Sequence, residues 1–444
     1  MEYSRSTVAP VSRRSGLEVA KLALLSVVGT SIEWYDFFLY GLGAALVFPS
    51  LFFPPALPHS AALIASFLTF AAGFVARPLG AVVFGYLGDQ LGRKHALAMA
   101  LVLMGAATTL IACLPAYREV GVIAPIALVL LRLLQGIAVG GQWGGAVLLV
   151  LESAPGRKRG FFGSLPQIGA PVGTVIANLA FVLVGDLASP EAFINWAWRL
   201  PFFASVVLIG VGLYVHYHIE ETPLYQQFSQ QRRATIAETR VPALQVVRDF
   251  RQELTLAALA QFAVNVCFYV NVTYAVAYAT QSSGPDIPRT TMLTAVLVAS
   301  VMLIPMVLGF GVLSDRVGRR RLYMTGAALS AAASFLLFPA IETRSIVWIM
   351  LGCLLVSVPV AMMYAPQGAL FGELFPTRVR YSGASLAYQL GAILGGGLAP
   401  LIATLLMTTF RTTVAVSLYM AGACLIGLLA VKAMRETAGV RLDD

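Results

Sequence analysis

The chain is a series of continuous apolar runs of roughly 20 residues, the length a helix needs to cross the hydrocarbon of a bilayer. Twelve such runs fall at about 22–48, 61–88, 96–115, 121–151, 162–184, 196–217, 253–281, 290–313, 321–340, 346–371, 382–408 and 411–432. They do not alternate polar with apolar residues, so they read as helices and not as barrel strands. The longer runs are expected to tilt or protrude. Only 11% of the 444 residues are charged and 58% are hydrophobic. A soluble domain carries about 25% charged residues, so a water-soluble fold is excluded.

The charges that remain are sorted by loop. One set of loops carries Arg93 and Lys94, then Arg157, Lys158 and Arg159, then Arg232, Arg233, Arg240, Arg248 and Arg251. The same set continues with Arg316, Arg319, Arg320 and Arg321, then Arg378 and Arg380. The alternate loops hold little beyond Arg118, Arg289 and Arg344. Positive charge marks the cytoplasmic side. Arg13, Arg14 and Lys21 at one end, and Lys432 and Arg435 at the other, place both termini there, which requires an even number of spans. The net charge of +9 is therefore a topology signal, and nucleic acid is not expected as a partner. The polar start runs into an apolar stretch that carries Glu33 and Asp36 and lacks a small-residue cleavage site, so it reads as a retained first helix. Cys113, Cys267, Cys353 and Cys424 fall in different runs without metal-ligand spacing. His59, His95, His216 and His218 sit at loops or helix ends, so no metal site is expected.

The polar stretch 218–252 separates two sets of six runs. It divides the chain into an N-terminal segment (1–21), a first bundle (22–217), a cytoplasmic linker (218–252), a second bundle (253–433) and a C-terminal tail (434–444). The two halves repeat. Gly85, Asp89, Gly92, Arg93 and Lys94 form G-x-x-x-D-x-x-G-R-K, and Gly311, Asp315, Gly318, Arg319 and Arg320 reproduce its spacing 226 residues later, from 85 to 311. Glu152, Pro155, Arg157 and Arg159 read E-x-x-P-x-R-x-R, and Glu373, Pro376, Arg378 and Arg380 repeat it 221 residues later, from 152 to 373. Duplicated membrane chains of this kind are transporters with the substrate between the halves. The loop charges either set topology or latch helix ends together and release them as the halves rock. The aspartates favour the latch, because topology alone needs no acid.

Ionisable residues within a span are functional candidates. Glu33 and Asp36 lie three apart and share a helix face with Tyr40. Carboxyls in low dielectric resist ionisation, which suits a proton carrier; the alternative is a structural polar cluster. Arg132 heads a stripe of Gln135, Val139, Gln142 and Ala146. Arg77 precedes Pro78, which breaks the local hydrogen-bond ladder. The arginine is free either to bind the released carbonyls or to grip a carboxylate with its planar fork. Arg199 is either an interfacial snorkelling residue or a further substrate contact. Gln167, Thr174 and Asn178 form one polar stripe, and Gln261, Asn265 and Tyr269 another. Tyr364, Gln367, Tyr388 and Gln389 complete the candidate substrate lining, although such residues also serve as packing glue in bilayers. An aromatic and amide-rich second half facing an arginine-bearing first half suits a hydroxylated or ring-bearing organic acid. The first half is expected to handle protons and the anionic group, and the second to shape selectivity.

These strings also carry a family resemblance. G-Y-L-G-D-Q-L-G-R-K at 85–94 resembles the loop signature of the major facilitator superfamily. S-I-E-W-Y-D-F-F-L-Y-G (31–41), F-V-A-R-P-L-G (74–80), R-L-L-Q-G-I-A-V-G-G-Q-W-G-G-A (132–146), L-E-S-A-P (151–155), W-R-L-P-F (198–202) and L-F-P-T-R-V-R-Y-S-G-A-S (374–385) resemble its metabolite:proton symporter family. The resemblance implies an all-α membrane fold of twelve helices in two pseudo-symmetric six-helix bundles, alternating access and proton-driven uptake. Relatives of this family carry shikimate, 2-oxoglutarate, citrate, or proline and betaine. It implies that the first and fourth helices line the cavity, which makes Asp36 the partner of Arg132. Protonation of Asp36 would then free Arg132 for a substrate carboxylate or for rocking. Gln142 stands where the family commonly has Glu, which moves the proton-carrying burden to the first helix. The expected protein is a monomeric, cofactor-free carrier of the bacterial inner membrane that imports a small organic acid with protons. A proton-independent facilitator or exchanger of the same fold, or a carrier of a zwitterionic osmolyte, is the alternative. There is no phosphate-binding loop for an ATP-driven pump, no set of catalytic residues for an enzyme, and no appended domain for a receptor.

Overall fold

The computed structural model describes residues 16–91, 93–140, 147–148, 150–151, 154–207, 209–210, 213–214, 242–281, 284–376 and 379–440. Among the described residues the apolar runs contain α1 (Gly16–Leu46), α2 (His59–Leu91), α3 (Arg93–Ala112), α4 (Ile123–Val139), α5 (Arg159–Leu187), α6 (Arg199–Ala204), α7 (Arg251–Ala279), α8 (Arg289–Val317), α9 (Arg319–Glu342), α10 (Ile346–Leu374), α11 (Arg380–Phe410) and α12 (Thr413–Ala433); α6 is only six residues of the run 196–217, of which 208, 211–212 and 215–217 lie outside the description. Among the described residues, eight of these contain stretches long and apolar enough to cross a membrane, and Ala98–Ala112 and Ile123–Val139 are shorter apolar helices. Large apolar side chains remain exposed along helix faces, as at Leu68, Val75, Leu79 and Val82 on α2 and Leu418, Leu425 and Leu429 on α12. Faces of that kind belong against lipid.

The run read as one span at 121–151 is shorter as a described helix, since α4 ends at Val139 and residues 141–146 lie outside the description. Residues 218–241 of the stretch read as a linker lie outside the described residues, and the remainder is described. It contains a short helix, Pro242–Asp249, whose Leu244 and Val247 are exposed while Val246 is buried.

Helices pack first within each half. In the first, α1 lies on α5, and α4 on α2 and α3; in the second, α7 lies on α11 and α12, α8 on α10, and α9 on α10 and α12. The halves meet where α5 lies along α8 and α2 along α11. Close approach requires glycine at the α2–α4 crossing. A Cβ on Gly80 would strike the Ile137 carbonyl, one on Gly136 the Gly73 carbonyl, and one on Gly140 the Arg77 carbonyl. Small residues are how membrane helices reach this spacing, and here they bring Arg77 and Arg132 into one neighbourhood.

Among the described residues π-helical turns fall at Phe193–Ala197 before α6, at Val270–Tyr274 inside α7 and at Ile393–Gly397 inside α11. Such turns recur at functional sites because they shift the register of the following side chains. In α7 the turn follows Tyr269 directly. In α11 its glycines make room for Phe74 and Tyr269, since a Cβ on Gly396 would meet both rings.

Candidate functional site

Asp36 is fully buried in the first half, and both carboxylate oxygens accept hydrogen bonds from hydroxyls. Thr108 Oγ1 on α3 donates to Oδ2 at 2.7 Å, and Ser205 Oγ, just after α6, donates to Oδ1 at 2.5 Å. Among the described residues no ion pair joins Asp36 to Arg132. The direct pair expected from sequence is replaced by a relay. Gln135 Nε2 donates to Thr108 Oγ1 at 2.6 Å, and Arg132 Nη1 donates to Gln135 Oε1 at 3.0 Å. Gln135 therefore spends its amide inside the bundle instead of lining a substrate path. Neither Thr108 nor Ser205 was singled out from sequence, because a hydroxyl within an apolar run announces no partner on another helix.

Arg132 is supported mainly by rings. Its guanidinium carbon lies 4.1 Å from the centres of both Phe37 and Tyr40 and 5.0 Å from that of Phe70. Tyr40 is held in turn by its hydroxyl, which donates to Thr69 at 2.7 Å. It acts as a platform under Arg132. Arg77 lies 4.2 Å from the Phe37 ring centre, 4.6 Å from Phe74 and 5.6 Å from Trp34. Both arginines are buried, and neither makes an ion pair among the described residues. Arg77 Nε and Arg132 Nη2 have no hydrogen-bond partner among the described residues.

Glu33 and Asp36 do not share surroundings. Glu33 is buried within electrostatic reach of Arg77, Tyr269 and Tyr388, toward the second half, whereas Asp36 is turned to α3 and α6. One helical turn separates two environments with different chemistry.

The second half closes this centre. Tyr269 packs against Phe37, Phe38, Phe70 and Phe74, with ring centres 5.5–6.3 Å apart. Its hydroxyl has no partner among the described residues. Gln261 Nε2 donates to Asn265 Oδ1 at 3.2 Å, which leaves Gln261 Oε1 and Asn265 Nδ2 unpartnered. Gln389 Nε2 reaches across to the Gly140 carbonyl at 3.3 Å, and Gln167 Nε2 from α5 reaches the Tyr364 carbonyl at 3.3 Å. Tyr364 and Tyr388 are hydrogen-bonded to each other. Both amide atoms of Gln367, with Gln389 Oε1 and Asn178 Oδ1, have no partner, while Asn178 Nδ2 donates to the Thr174 carbonyl at 2.9 Å. Asn271 in the π turn of α7, missed from sequence, donates to Ser357 Oγ at 3.1 Å and leaves its own oxygen unpartnered. Buried polar atoms are normally satisfied, so this concentration of free donors and acceptors at the junction of the halves has the chemistry of a ligand site.

Arg199 falls outside it. Its Nε donates to the Ala112 carbonyl at 2.9 Å, Nη1 to Asn195 at 2.6 Å and Nη2 to Leu114 at 3.1 Å. The first and third of these bonds tie α6 to the end of α3, the structural one of the two roles the sequence leaves open for Arg199.

The repeated loop residues build a separate junction. Asp315 at the end of α8 accepts from the backbone N–H of Gly160 (2.8 Å) and of Phe161 (3.0 Å), capping the first turn of α5 from the other half. Arg319 Nη1 lies 2.9 Å from Asp315 and Nη2 3.4 Å from Glu373, with Arg319 and Glu373 both buried. Gly318 supplies the tight turn between α8 and α9 with φ +95°, a conformation that favours glycine. Glu436 accepts from the N–H groups of Arg319 (3.0 Å) and Arg320 (3.2 Å), and Arg159 Nη1 donates to the Val440 carbonyl at 2.6 Å. Arg320 binds the Val431 and Lys432 carbonyls, and Arg380 the Phe375 carbonyl. A cleft of about 1160 Å³ opens beside this junction, lined by Arg157, Arg159, Asp315 and Arg319 among others; it shares no residue with the Asp36–Arg132 network. Gln142, Gly92, Glu152 and Arg378, and the side-chain surroundings of Gly85, Asp89, Arg93 and Lys94, lie outside the described residues.

The whole arrangement can be set against known proteins. A family model described as "Major Facilitator Superfamily" matches residues 37–388 and 295–441. The chain is 39% identical to the shikimate transporter of Escherichia coli K12 over 94% of both chains. It is 37% identical, with the same coverage, to the inner membrane metabolite transport protein YhjE of that organism. The proline/betaine transporter of E. coli K12 is 30% identical over 98% of this chain and 88% of its own. In fold, the structure is similar to a D-xylose–proton symporter, with a TM-score of 0.73 at 20% identity over 96% of this chain and 100% of that one. The chain belongs to the Major Facilitator Superfamily, as a membrane transporter of metabolites and not an enzyme.

Proposed function

We propose that this protein is a proton-coupled symporter that imports a small organic acid across the bacterial inner membrane by alternating access. One observation carries the reading. Two buried arginines share an aromatic cradle in the first half, each with an unpartnered nitrogen, and the second half opposes them with unpartnered phenol and amide groups. A carboxylate held by the guanidinium forks and hydroxyls met by Tyr269, Gln261, Asn265 and Gln367 would complete both sets. Arginine forks suit that geometry. Asp36 is the proton carrier, isolated from the substrate centre yet joined to Arg132 through Thr108 and Gln135. Glu33 beside Arg77 is the second acid of the coupling set. The names of the shikimate transporter and the D-xylose–proton symporter support an organic acid cargo and proton coupling.

In this reading the chain has twelve spans with both termini in the cytoplasm, bundles at 22–217 and 253–433, and a linker at 218–252, and it works as a monomer without a cofactor. The Asp315, Arg319 and Glu373 junction is the cytoplasmic latch, with Arg159, Arg320, Glu436 and the C-terminal residues fastened to it.

A second reading, a carrier for a zwitterionic osmolyte, is favoured by the ring cluster itself. Trp34, Phe37, Phe38, Phe70, Phe74 and Tyr269 surround the centre, and aromatic faces also attract quaternary ammonium groups. The purified protein in proteoliposomes separates the two. Shikimate, citrate, 2-oxoglutarate, proline and glycine betaine are each offered with and without an inward proton gradient. Gradient-driven accumulation of a carboxylate without a cationic group is the expected result. Accumulation of betaine alone selects the second reading, and uptake indifferent to the gradient removes proton coupling.

A further inference from the structure

Asp36 has an unusual pair of neighbours for a buried acid, because both its oxygens meet hydroxyls and neither meets a fixed cation. A hydroxyl both donates and accepts, whereas a guanidinium only donates. Of the two hydroxyls, Thr108 has a second place for its proton. Its Oγ1 lies 2.7 Å from Asp36 Oδ2 and 2.9 Å from the Met104 carbonyl, and it also accepts from Gln135 Nε2 at 2.6 Å.

We infer that Thr108 is a two-position hydroxyl switch, which lets Asp36 take up and release a proton inside the bundle without any of these groups losing its hydrogen bond. The inference rests on the proton-coupled reading above. With Asp36 ionised, the Thr108 proton points at Oδ2, and the Gln135 amide fills one lone pair of Oγ1. When Oδ2 takes a proton, its new O–H donates to Oγ1, and the Thr108 proton swings to the Met104 carbonyl. Oγ1 then accepts twice, from Asp36 and from Gln135. The Thr108 O–H bond never breaks, so one proton is added to Asp36 and one hydroxyl rotates. Ser205 donates to Oδ1 in both states. A buried donor or acceptor left without a partner is costly, and the switch removes that cost from each state in turn.

The relay also reaches the substrate centre. Three hydrogen bonds, through Thr108 and Gln135, separate Asp36 from Arg132. Among the described residues, the charged and titratable groups acting on Asp36 are Arg132 on α4 and Tyr35 on its own helix, while α3 and α6 present Thr108 and Ser205. Thr108 is thus a positioning residue: it touches the proton carrier and one link of the chain to the arginine.

The test needs no substrate. Infrared difference spectra between acidic and alkaline pH are recorded on the full-length protein in lipid nanodiscs. The protonated-carboxyl band lost in Asp36→Asn identifies Asp36. Thr108→Ser keeps the hydroxyl and should keep the band in place. Thr108→Val keeps the shape and removes the hydroxyl, and should either move the band to higher frequency, as for a carboxyl O–H without an acceptor, or abolish its titration. An unchanged band in Thr108→Val overturns the switch while leaving Asp36 as a proton carrier. Equal displacement in Thr108→Ser and Thr108→Val also overturns it, because the hydroxyl then does not matter. The absence of any Asp36-dependent band in the wild type overturns the proton-carrier reading itself, and the switch with it.

Discussion

Arg77 and Arg132 lie over the same phenyl ring, that of Phe37, at 4.2 and 4.1 Å from its centre. Two like charges are thereby held near each other in a buried place by the face of one aromatic side chain. A desolvated cation–π contact contributes about 2 kcal/mol, and this ring makes two. The first consequence concerns the ring. Phe37→Leu should raise the KM for the transported acid about tenfold or more, because both forks lose their platform, while Phe37→Tyr should stay near wild type. Initial-rate uptake in proteoliposomes measures both.

Removing Asp36, the proposed proton carrier, should separate accumulation from exchange. Asp36→Asn is close in shape and keeps hydrogen-bonding capacity toward Thr108 and Ser205, so the bundle should hold. It should lose gradient-driven accumulation and retain counterflow of preloaded substrate. Concentrative uptake at the wild-type level in that variant would show that Asp36 carries no coupled proton.

The two kinds of arginine should respond differently. Arg132→Lys replaces a planar fork by a point charge and should weaken carboxylate binding by about 2 kcal/mol, roughly 30-fold. Arg199→Gln should instead lower thermal stability by about 1–3 kcal/mol, since its bonds tie α6 to α3, with the KM unchanged. Thermal unfolding and uptake kinetics on the same preparations distinguish these outcomes. A raised KM in Arg199→Gln would return that residue to the substrate path.

Asp315→Asn should loosen the junction between the halves. The substitution keeps one acceptor oxygen and loses the charge that Arg319 and two N–H groups now share. Ser164 is buried against Gly311 in this junction. Ser164→Cys, made with the exposed Cys113 changed to Ser, should react slowly with a membrane-impermeant maleimide. Adding Asp315→Asn should speed that reaction several-fold. Equal labelling rates would mean that Asp315 does not hold the junction shut.

Much of this was readable in the sequence because bilayers impose simple rules. Span length located most of the helices, and Asp315, marked by its repeat, lies at a contact between α8 and α5, while the surroundings of Asp89 lie outside the described residues. What could not be read was the pairing of buried polar groups. Arg132 and Asp36 were expected to meet, yet Thr108 and Gln135 stand between them, and a stripe on one helix says nothing of a hydroxyl on another. Arg199 looked like Arg77 in one dimension, but two carbonyls at the end of α3 and that of Asn195 one turn before it claim its guanidinium. Glu33 and Asp36 were placed on one face by their spacing, and the roughly 60° that separates residues three apart on an α-helix is enough to send each to a different neighbour.

The cap that Asp315 places on α5 has a consequence for the rhythm of transport. Two N–H groups in the first turn of α5 are capped by a carboxylate that belongs to the opposite half. Separating the halves there strips two amide groups of their acceptor at once, and water must replace it before the opening is complete. In the proposed cycle that parting is a discrete event with its own activation threshold, so the slowest stage at low temperature should be the breaking of this contact, whatever the cargo.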